Sequence, residues 1–389
     1  MSDKKKRVVR LYDYQMEAIR KMEPGCILKG NVGSGKTLTS LFYFKLEHEG
    51  APLYVITTAK KRSTGDWEHE AELAGVSKDL VAVDSWNNIL KYKDVKDSFF
   101  IFDENHAISY GTWGKTMIHI ARHNKFILLS ATPGDRWIDY MPIFLANGFY
   151  RNKTDFINQH VIYDNFSTYP KIKEYRNESK LLYFRRKIEI RMRSDHKVRR
   201  HILYSPVDYP KDIYQECLGN RWDLYRNEPV TNPSRMTQVA RRIVNESPER
   251  ILKMTEFVQK FDKLIVFYNY NYELDILKLI CEKLNKPYRQ YNGHVHDPLP
   301  TGDNWCYLVH YSSSEGWNCI NTNIVIFYSL NYSYKTIEQC MGRIDRVNTP
   351  YHDLYYYILM SRSSIDLSIK KAISLKKKFN EKEWGEHGE

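Results

Sequence analysis

The stretch Gly30-Asn31-Val32-Gly33-Ser34-Gly35-Lys36-Thr37 matches the pattern G-x-x-x-x-G-K-[ST] at every specified position. Three glycines let the backbone turn tightly enough for its N–H groups to face inward, and a following helix adds its positive end, so such a loop is built to hold phosphate. Lys36 would reach the β- and γ-phosphates of a nucleotide, and the Thr37 hydroxyl would hold Mg²⁺. Gly30, Gly33, Ser34, Gly35, Lys36 and Thr37 are therefore the candidate nucleotide-binding residues. The motif requires strand, loop and helix in that order. Cys26-Ile27-Leu28 reads as the strand and Leu38 to Leu46 as the helix.

Ahead of the loop, Leu11 to Met22 carries apolar residues at helical spacing and stops before Pro24-Gly25, which predicts an amphipathic helix. Beyond it, strand-like Leu53 to Thr57, Leu80 to Val83, Phe99 to Phe102 and Phe126 to Leu129 are interleaved with helical stretches around Trp67 to Leu73 and from Ser85 onward. Strands alternating with helices at this spacing form a parallel sheet covered on both faces. A second alternation starts at Leu264-Ile265-Val266-Phe267, passes through a helix over Glu273 to Leu284, and continues through Tyr307-Leu308-Val309, Ile324 to Phe327 and Leu354 to Leu359. A chain of 389 residues has room for both cores. The expected organisation is an N-terminal lobe over 1–149, a basic, tyrosine-rich inter-lobe segment over 150–262, and a C-terminal lobe with a closing helix over 263–389.

Two further constellations carry chemistry. Phe99 to Phe102 is followed by Asp103 and Glu104, two carboxylates at the end of an apolar strand. In an open parallel sheet, ligands gather outside the carboxyl ends of the strands. Asp103 would complete the Mg²⁺ shell begun by Thr37, while Glu104 would orient and deprotonate an attacking water. In the second half, Gln339-Cys340-Met341-Gly342-Arg343-Ile344-Asp345-Arg346 sets two arginines three positions apart, on one face if the segment is helical. Arg343 and Arg346 would neutralise charge that builds on the γ-phosphate during transfer.

Composition narrows the partner. Lys and Arg number 59 against 47 Asp and Glu, and the resulting charge of +12 draws the chain to polyanions through a long-range, salt-sensitive field. Six cysteines without a C-x-x-C pair suggest neither a disulfide framework nor a zinc ribbon, and fit a reducing cytoplasm. His294, His296 and Asp297 lie in a predicted loop with no fourth ligand to name. No apolar run approaches the roughly 20 residues of a membrane span.

The order of these motifs resembles that of superfamily 2 helicases and translocases, from about Leu11 to Asn348. On that resemblance, Tyr14-Gln15 is similar to an adenine-reading element with Gln15 as the contact, and Asp103-Glu104-Asn105-His106 is similar to a DExH box. Ser130-Ala131-Thr132 matches the S-A-T motif, so Ser130, Thr132 and His106 would couple the ATP site to a nucleic-acid groove. Gln339 to Arg346 resembles the Q-x-x-G-R-x-x-R element, which makes Gln339, Arg343 and Arg346 catalytic candidates beside Lys36, Asp103 and Glu104. Within the superfamily, Trp67-Glu68, Tyr291-Asn292-Gly293 and Ser313 to Asn318 resemble elements of the Swi/Snf-type DNA-dependent ATPases. Asn105 departs from the usual Ala, Trp317 from the usual Leu, and the region around Lys60-Lys61-Arg62 does not align cleanly. The leanness of the chain resembles helicases of phage replication modules.

The resemblance implies two tandem RecA-like α/β lobes, each a mostly parallel sheet covered by helices, with ATP and Mg²⁺ as cofactors and nucleic acid as the track. Duplex DNA is favoured over single strands or RNA, and an intracellular monomer is expected, with replication or recombination proteins as further partners. Thr58, Lys60, Ser85 and Ser313 would contact the backbone, and a basic cluster containing Arg185, Arg186, Lys187, Arg191, Arg193, Lys197, Arg199 and Arg200 would act as a clamp or as plain charged surface. A strand-separating DNA or RNA helicase, an ATP-gated binding switch and a small-molecule kinase remain open alternatives to a duplex translocase.

Overall fold

The computed structural model describes residues 10–30, 33–104, 109–131, 133–164, 170–192, 198–314, 317–346 and 348–381. The chain divides into two compact units, Met1–Asp195 and His196–Glu389. Each is built around a six-stranded sheet in which every strand pair is parallel. The α/β architecture with two tandem lobes is therefore the observed one.

In the first unit the strands are β1 (Ile27–Gly30), β2 (Leu53–Thr57), β3 (Val81–Ser85), β4 (Phe99–Asp103), β5 (Lys125–Ser130) and, after a β6–β7 ribbon (Val161–Tyr163 and Ile172–Tyr175), β8 (Glu189–Met192). Their order across the sheet is β3-β2-β4-β5-β1-β8. The central strands read as unbroken apolar runs because both faces are covered, and Phe99, Phe100, Ile101 and Phe102 are all buried. Burying a side chain of this size is worth about 1.5–3 kcal/mol, so β4 alone anchors the sheet centre. The helices are α1 (Asp13–Lys21), α2 (Lys36–His48), α3 (Ala59–Thr64), α4 (Asp66–Ala74), α5 (Thr112–Ala121), α6 (Trp137–Ala146), α7 (Lys153–His160) and α8 (Glu178–Ile188). The helix expected from Ser85 is instead a 3₁₀ segment, Trp86–Tyr92. Trp86 fixes it there, since its indole N–H donates to the Asp103 carbonyl at 2.9 Å.

The second unit opens with β9 (Arg199–Pro206), which forms the edge of a sheet ordered β13-β14-β12-β15-β16-β9. Between β9 and the sheet centre lie α9 (Lys211–Asn220), a two-stranded ribbon of β10 (Trp222–Asp223) and β11 (Glu228–Pro229), α10 (Pro233–Asn245) and α11 (Pro248–Lys260). Then follow β12 (Lys263–Tyr268), α12 (Asn271–Lys283), β13 (Tyr288–Tyr291), β14 (Trp305–His310), β15 (Ile324–Phe327), α13 (Tyr334–Met341), β16 (Asp353–Met360) and α14 (Ser364–Glu381). Among the described residues no helix is long and apolar enough to cross a membrane.

The stretch 150–262 does not stand apart as a connecting segment. Its first part closes the first sheet through β8, its last part supplies the edge strand and two long helices of the second unit, and the division falls between Asp195 and His196. Buried ion pairs explain why. Arg185 is fully buried beneath Trp137 and Tyr140 and donates to Glu189 Oε1 at 3.0 Å. Tyr140 donates to the same oxygen at 2.5 Å, and Lys29 Nζ lies 3.5 Å from Glu189 Oε2. Burial would raise the Glu189 pKa, but Lys29 and Arg185 outweigh it and hold the carboxyl below its usual range. The basic run thus serves to dock α8 and β8 beside β1, the strand that leads into the glycine-rich loop.

Candidate nucleotide site

Because β1, β2, β4 and β5 are parallel neighbours, the residues at their carboxyl ends share one edge of the first sheet. Those ends are Gly30, Thr57, Asp103 and Ser130. The sequence brings a glycine-rich loop, a hydroxyl, a carboxylate and a second hydroxyl to one place.

The loop has the backbone its glycines permit. Gly33 and Gly35 adopt φ values of 83° and 76°, in the left-handed region that side-chain-bearing residues avoid. A Cβ on Gly35 would come 2.4 Å from Gln15 Nε2, and one on Gly30 would come 2.6 Å from Ser34 Oγ. Gln15 donates to the Gly35 carbonyl at 3.4 Å while its Oε1 accepts from the Tyr12 amide at 2.9 Å, so the first helix is pinned to the loop. Tyr14 adds a hydroxyl bond to the Ser34 carbonyl at 3.2 Å. Lys36 folds back and donates to the Gly30 carbonyl at 2.7 Å, and half-buried Thr37 sits in the first turn of α2. Ser34 Oγ is buried without a hydrogen-bond partner among the described residues. A glycine cradle with no room for side chains, a buried hydroxyl lacking a partner and a lysine at the helix start fit a nucleotide's phosphates.

At the end of β4, Asp103 is buried, and its Oδ2 accepts from Thr57 Oγ1 at 2.8 Å and from Lys61 Nζ at 3.0 Å. The same ammonium donates to Glu104 Oε1 at 3.0 Å. Burial alone would push the Lys61 pKa down, but Asp103 and Glu104 outweigh it and hold the ammonium well above its usual value. Glu104 has φ 53°, a left-handed conformation costing a non-glycine residue about 1–2 kcal/mol. Strain of this kind clusters at sites where geometry has a purpose. The oxygen-rich donor set, a buried carboxylate beside a hydroxyl, suits a hard cation such as Mg²⁺.

Lys61, Thr57 and Trp86 are site residues that the sequence reading passed over. Thr57 had a legible signal, a hydroxyl closing an apolar strand beside the acidic strand. Lys61 had none, because its place depends on how α3 leaves β2. A fourth residue, Glu70 of α4, has its pKa raised to about 7, by burial first and then by Asp66 and Asp103, with Lys61 opposing. Its Oε2 is buried without a partner among the described residues.

The residues expected at a nucleic-acid surface separate into three groups. Thr58 caps α3, accepting from the Lys61 amide at 3.3 Å, and Lys60 beside it is half-buried, as is Ser313 in the second unit. Arg186 is exposed on α8. Arg185 and Ser85 are corrections: Arg185 is sealed on Glu189 and Ser85 is buried at the end of β3, so neither side chain lies on the surface. Within the rest of the basic cluster, Arg200 is bound to Glu338 and Asp345, and Arg199 to Asp353. Ser130 is buried at the end of β5, while His106 and Thr132 lie outside the described residues.

In the second unit α13 ends at Met341, with Gly342 as its cap, so Arg343 and Arg346 follow the helix rather than sharing one of its faces. Buried Gln339 accepts from Arg343 Nε through its carbonyl at 3.0 Å, and Arg343 Nη1 donates to the Trp317 carbonyl at 2.9 Å. Arg346 donates to Asn318 Oδ1, and its Nε is buried without a partner among the described residues. Burial, with Arg343 alongside, pushes its pKa down to about 9. Both arginines are thus held inward within their own unit.

No known protein family and no curated protein matches the chain. Among solved structures it is similar to the Sulfolobus solfataricus SWI2/SNF2 ATPase core in complex with dsDNA, at 17% sequence identity over 96% of this chain and 93% of that one, with a TM-score of 0.43.

Proposed function

We propose that this chain is an ATP- and Mg²⁺-dependent nucleic-acid motor, most specifically a translocase on duplex DNA. The observation that carries the ATPase part is the shared carboxyl edge of the first sheet, where the glycine cradle ends β1 and a buried Asp103 with an adjacent Glu104 ends β4. The nucleic-acid part is supported by the +12 charge and by the order of motifs through Gln339 to Arg346.

In this reading the amides of residues 30–37 and the Lys36 ammonium bind the phosphates, and Gln15 faces the base. The Thr37 hydroxyl and the Asp103 carboxylate hold Mg²⁺, which when bound offsets charge on the phosphoryl oxygens. Glu104 accepts a proton from the attacking water at its carboxylate. Thr57 keeps Asp103 oriented through its 2.8 Å bond. Arg346, with its pKa pushed down to about 9, remains a cation at neutral pH.

The test is steady-state ATPase activity without nucleic acid and with single-stranded DNA, duplex DNA or RNA, at low and moderate salt, with Lys36→Ala as the blank. Strong stimulation by duplex DNA that weakens with salt is expected. Glu104→Gln should lower turnover by about 10²-fold or more while nucleotide binding persists. No stimulation by any nucleic acid would sink the motor reading, and preference for single strands or RNA would replace translocation with unwinding.

A further inference from the structure

Lys61 presents one ammonium to two carboxylates, 3.0 Å from Asp103 Oδ2 and 3.0 Å from Glu104 Oε1. An ammonium seated on both carboxylates repels a divalent ion that approaches the same pair, so the ion enters more readily once the ammonium has moved away. The helix that delivers Lys61 is α3, six residues long with no buried residue, ending at Gly65, whose φ is 70°. Nothing lies within 4 Å of where a Gly65 Cβ would stand. The ammonium is therefore mounted on an exposed turn, and its side chain can leave without disturbing a core. Glu70 on the next helix offers somewhere to go. The helix that carries it packs against α3, Lys61 and Asp103 both act on its charge, and its Oε2 is buried with no hydrogen-bond partner among the described residues.

We propose that Lys61 is a built-in counter-cation of the acidic pair, seated on Asp103 and Glu104 when no divalent ion is present and moving to Glu70 when one arrives. The idea rests on the metal role given above to Asp103, but not on the chain being a motor. Two carboxylates at neighbouring positions repel when bare, and a resident ammonium offsets that repulsion and holds them aligned until the ion enters. The arrangement has a cost in affinity. A divalent ion binds only the fraction of molecules whose pair is vacant, so its apparent dissociation constant is multiplied by the inverse of that fraction. Glu70 reduces the cost by giving the displaced ammonium a partner.

The test uses the full-length, nucleotide-free chain at pH 8, where Glu70 is ionised, with Mn²⁺ as the probe and the unbound ion followed by electron paramagnetic resonance. Lys61→Met should tighten Mn²⁺ binding by about tenfold, the factor expected if the ammonium occupies the pair nine-tenths of the time. Lys61→Gln should behave alike, and Arg62→Met, which removes the next charge on α3, one paired with Asp84, but not the contact, should change affinity less than about twofold. Glu70→Gln should weaken binding in the wild-type background and have no effect in Lys61→Met. Unchanged or weaker binding in both Lys61 variants would overturn the proposal, as would a Glu70→Gln effect of equal size in both backgrounds, which is the signature of a general field. Binding of a fluorescent ATP analogue to wild type and Lys36→Ala, run in parallel, reports separately on nucleotide recognition. Its failure would remove the ATPase reading and leave the cation exchange to stand or fall on the Mn²⁺ data.

Discussion

At the scale of single residues, the site is a balance of carboxylates around one ammonium. Glu70 shows it in pH. Its pKa rises from the ordinary 4.5 to about 7, so between those values the folded chain binds a proton that the unfolded chain has already released. Stability should therefore fall as pH rises from about 4.5 through about 7, with Asp66 and Asp103 adding to the effect and Lys61 opposing it. Glu70→Gln, neutral throughout, should flatten that part of the stability profile in denaturant titrations at successive pH values. A wild-type profile already flat over this window would contradict the assignment. Thr57 makes the opposite kind of contribution. Its hydroxyl is buried and spent on Asp103, so Thr57→Val should leave the carboxylate short of a donor and cost about 1–3 kcal/mol of stability.

At the scale of elements, the clearest lesson is that a basic run can be internal scaffolding. Arg185 and Arg186 are neighbours in α8, yet one is sealed under two aromatic rings and the other faces solvent. Arg185→Ala would leave Glu189 buried with a weaker set of partners and should cost roughly 3–5 kcal/mol, read as a lower midpoint in urea. Arg186→Ala should stay within about 0.5 kcal/mol of wild type. The second unit repeats the device: fully buried Arg250 of α11 donates to the Tyr328 and Leu359 carbonyls and to Asp366 Oδ2 at 2.7 Å, tying a helix to the residue that follows β15, to β16 and to α14. Glu273 at the start of α12 is likewise buried, accepting from the Asn269 amide and from Ser329 and Asn245. These partners stand 28 to 56 positions apart for Asn245 and Ser329, which is why no local pattern announced them.

At the scale of the whole molecule, each unit has its own parallel sheet and core, and each is near the size at which domains fold alone. Residues 1–195 and 196–389 produced separately should each unfold cooperatively, and the first should bind a nucleotide analogue that its Lys36→Ala form does not. Division at 149 or 262 should give insoluble pieces, because it strips β8 from the first sheet and β9 from the second. What the sequence determined by itself was everything local: the tight glycine-rich loop from its spacing, the strands from runs such as Phe99 to Phe102, and the alternation that makes both sheets parallel. Parallel pairing then carried the acidic pair of β4 to the same edge as the loop without further information. The tertiary structure alone decided which charges are buried and paired. Composition cannot tell Arg185 from Arg186, nor place Lys61 on Asp103 and Glu104, because a charge's partner is chosen by how helices dock across the sheet and by the need to neutralise what burial removes from water.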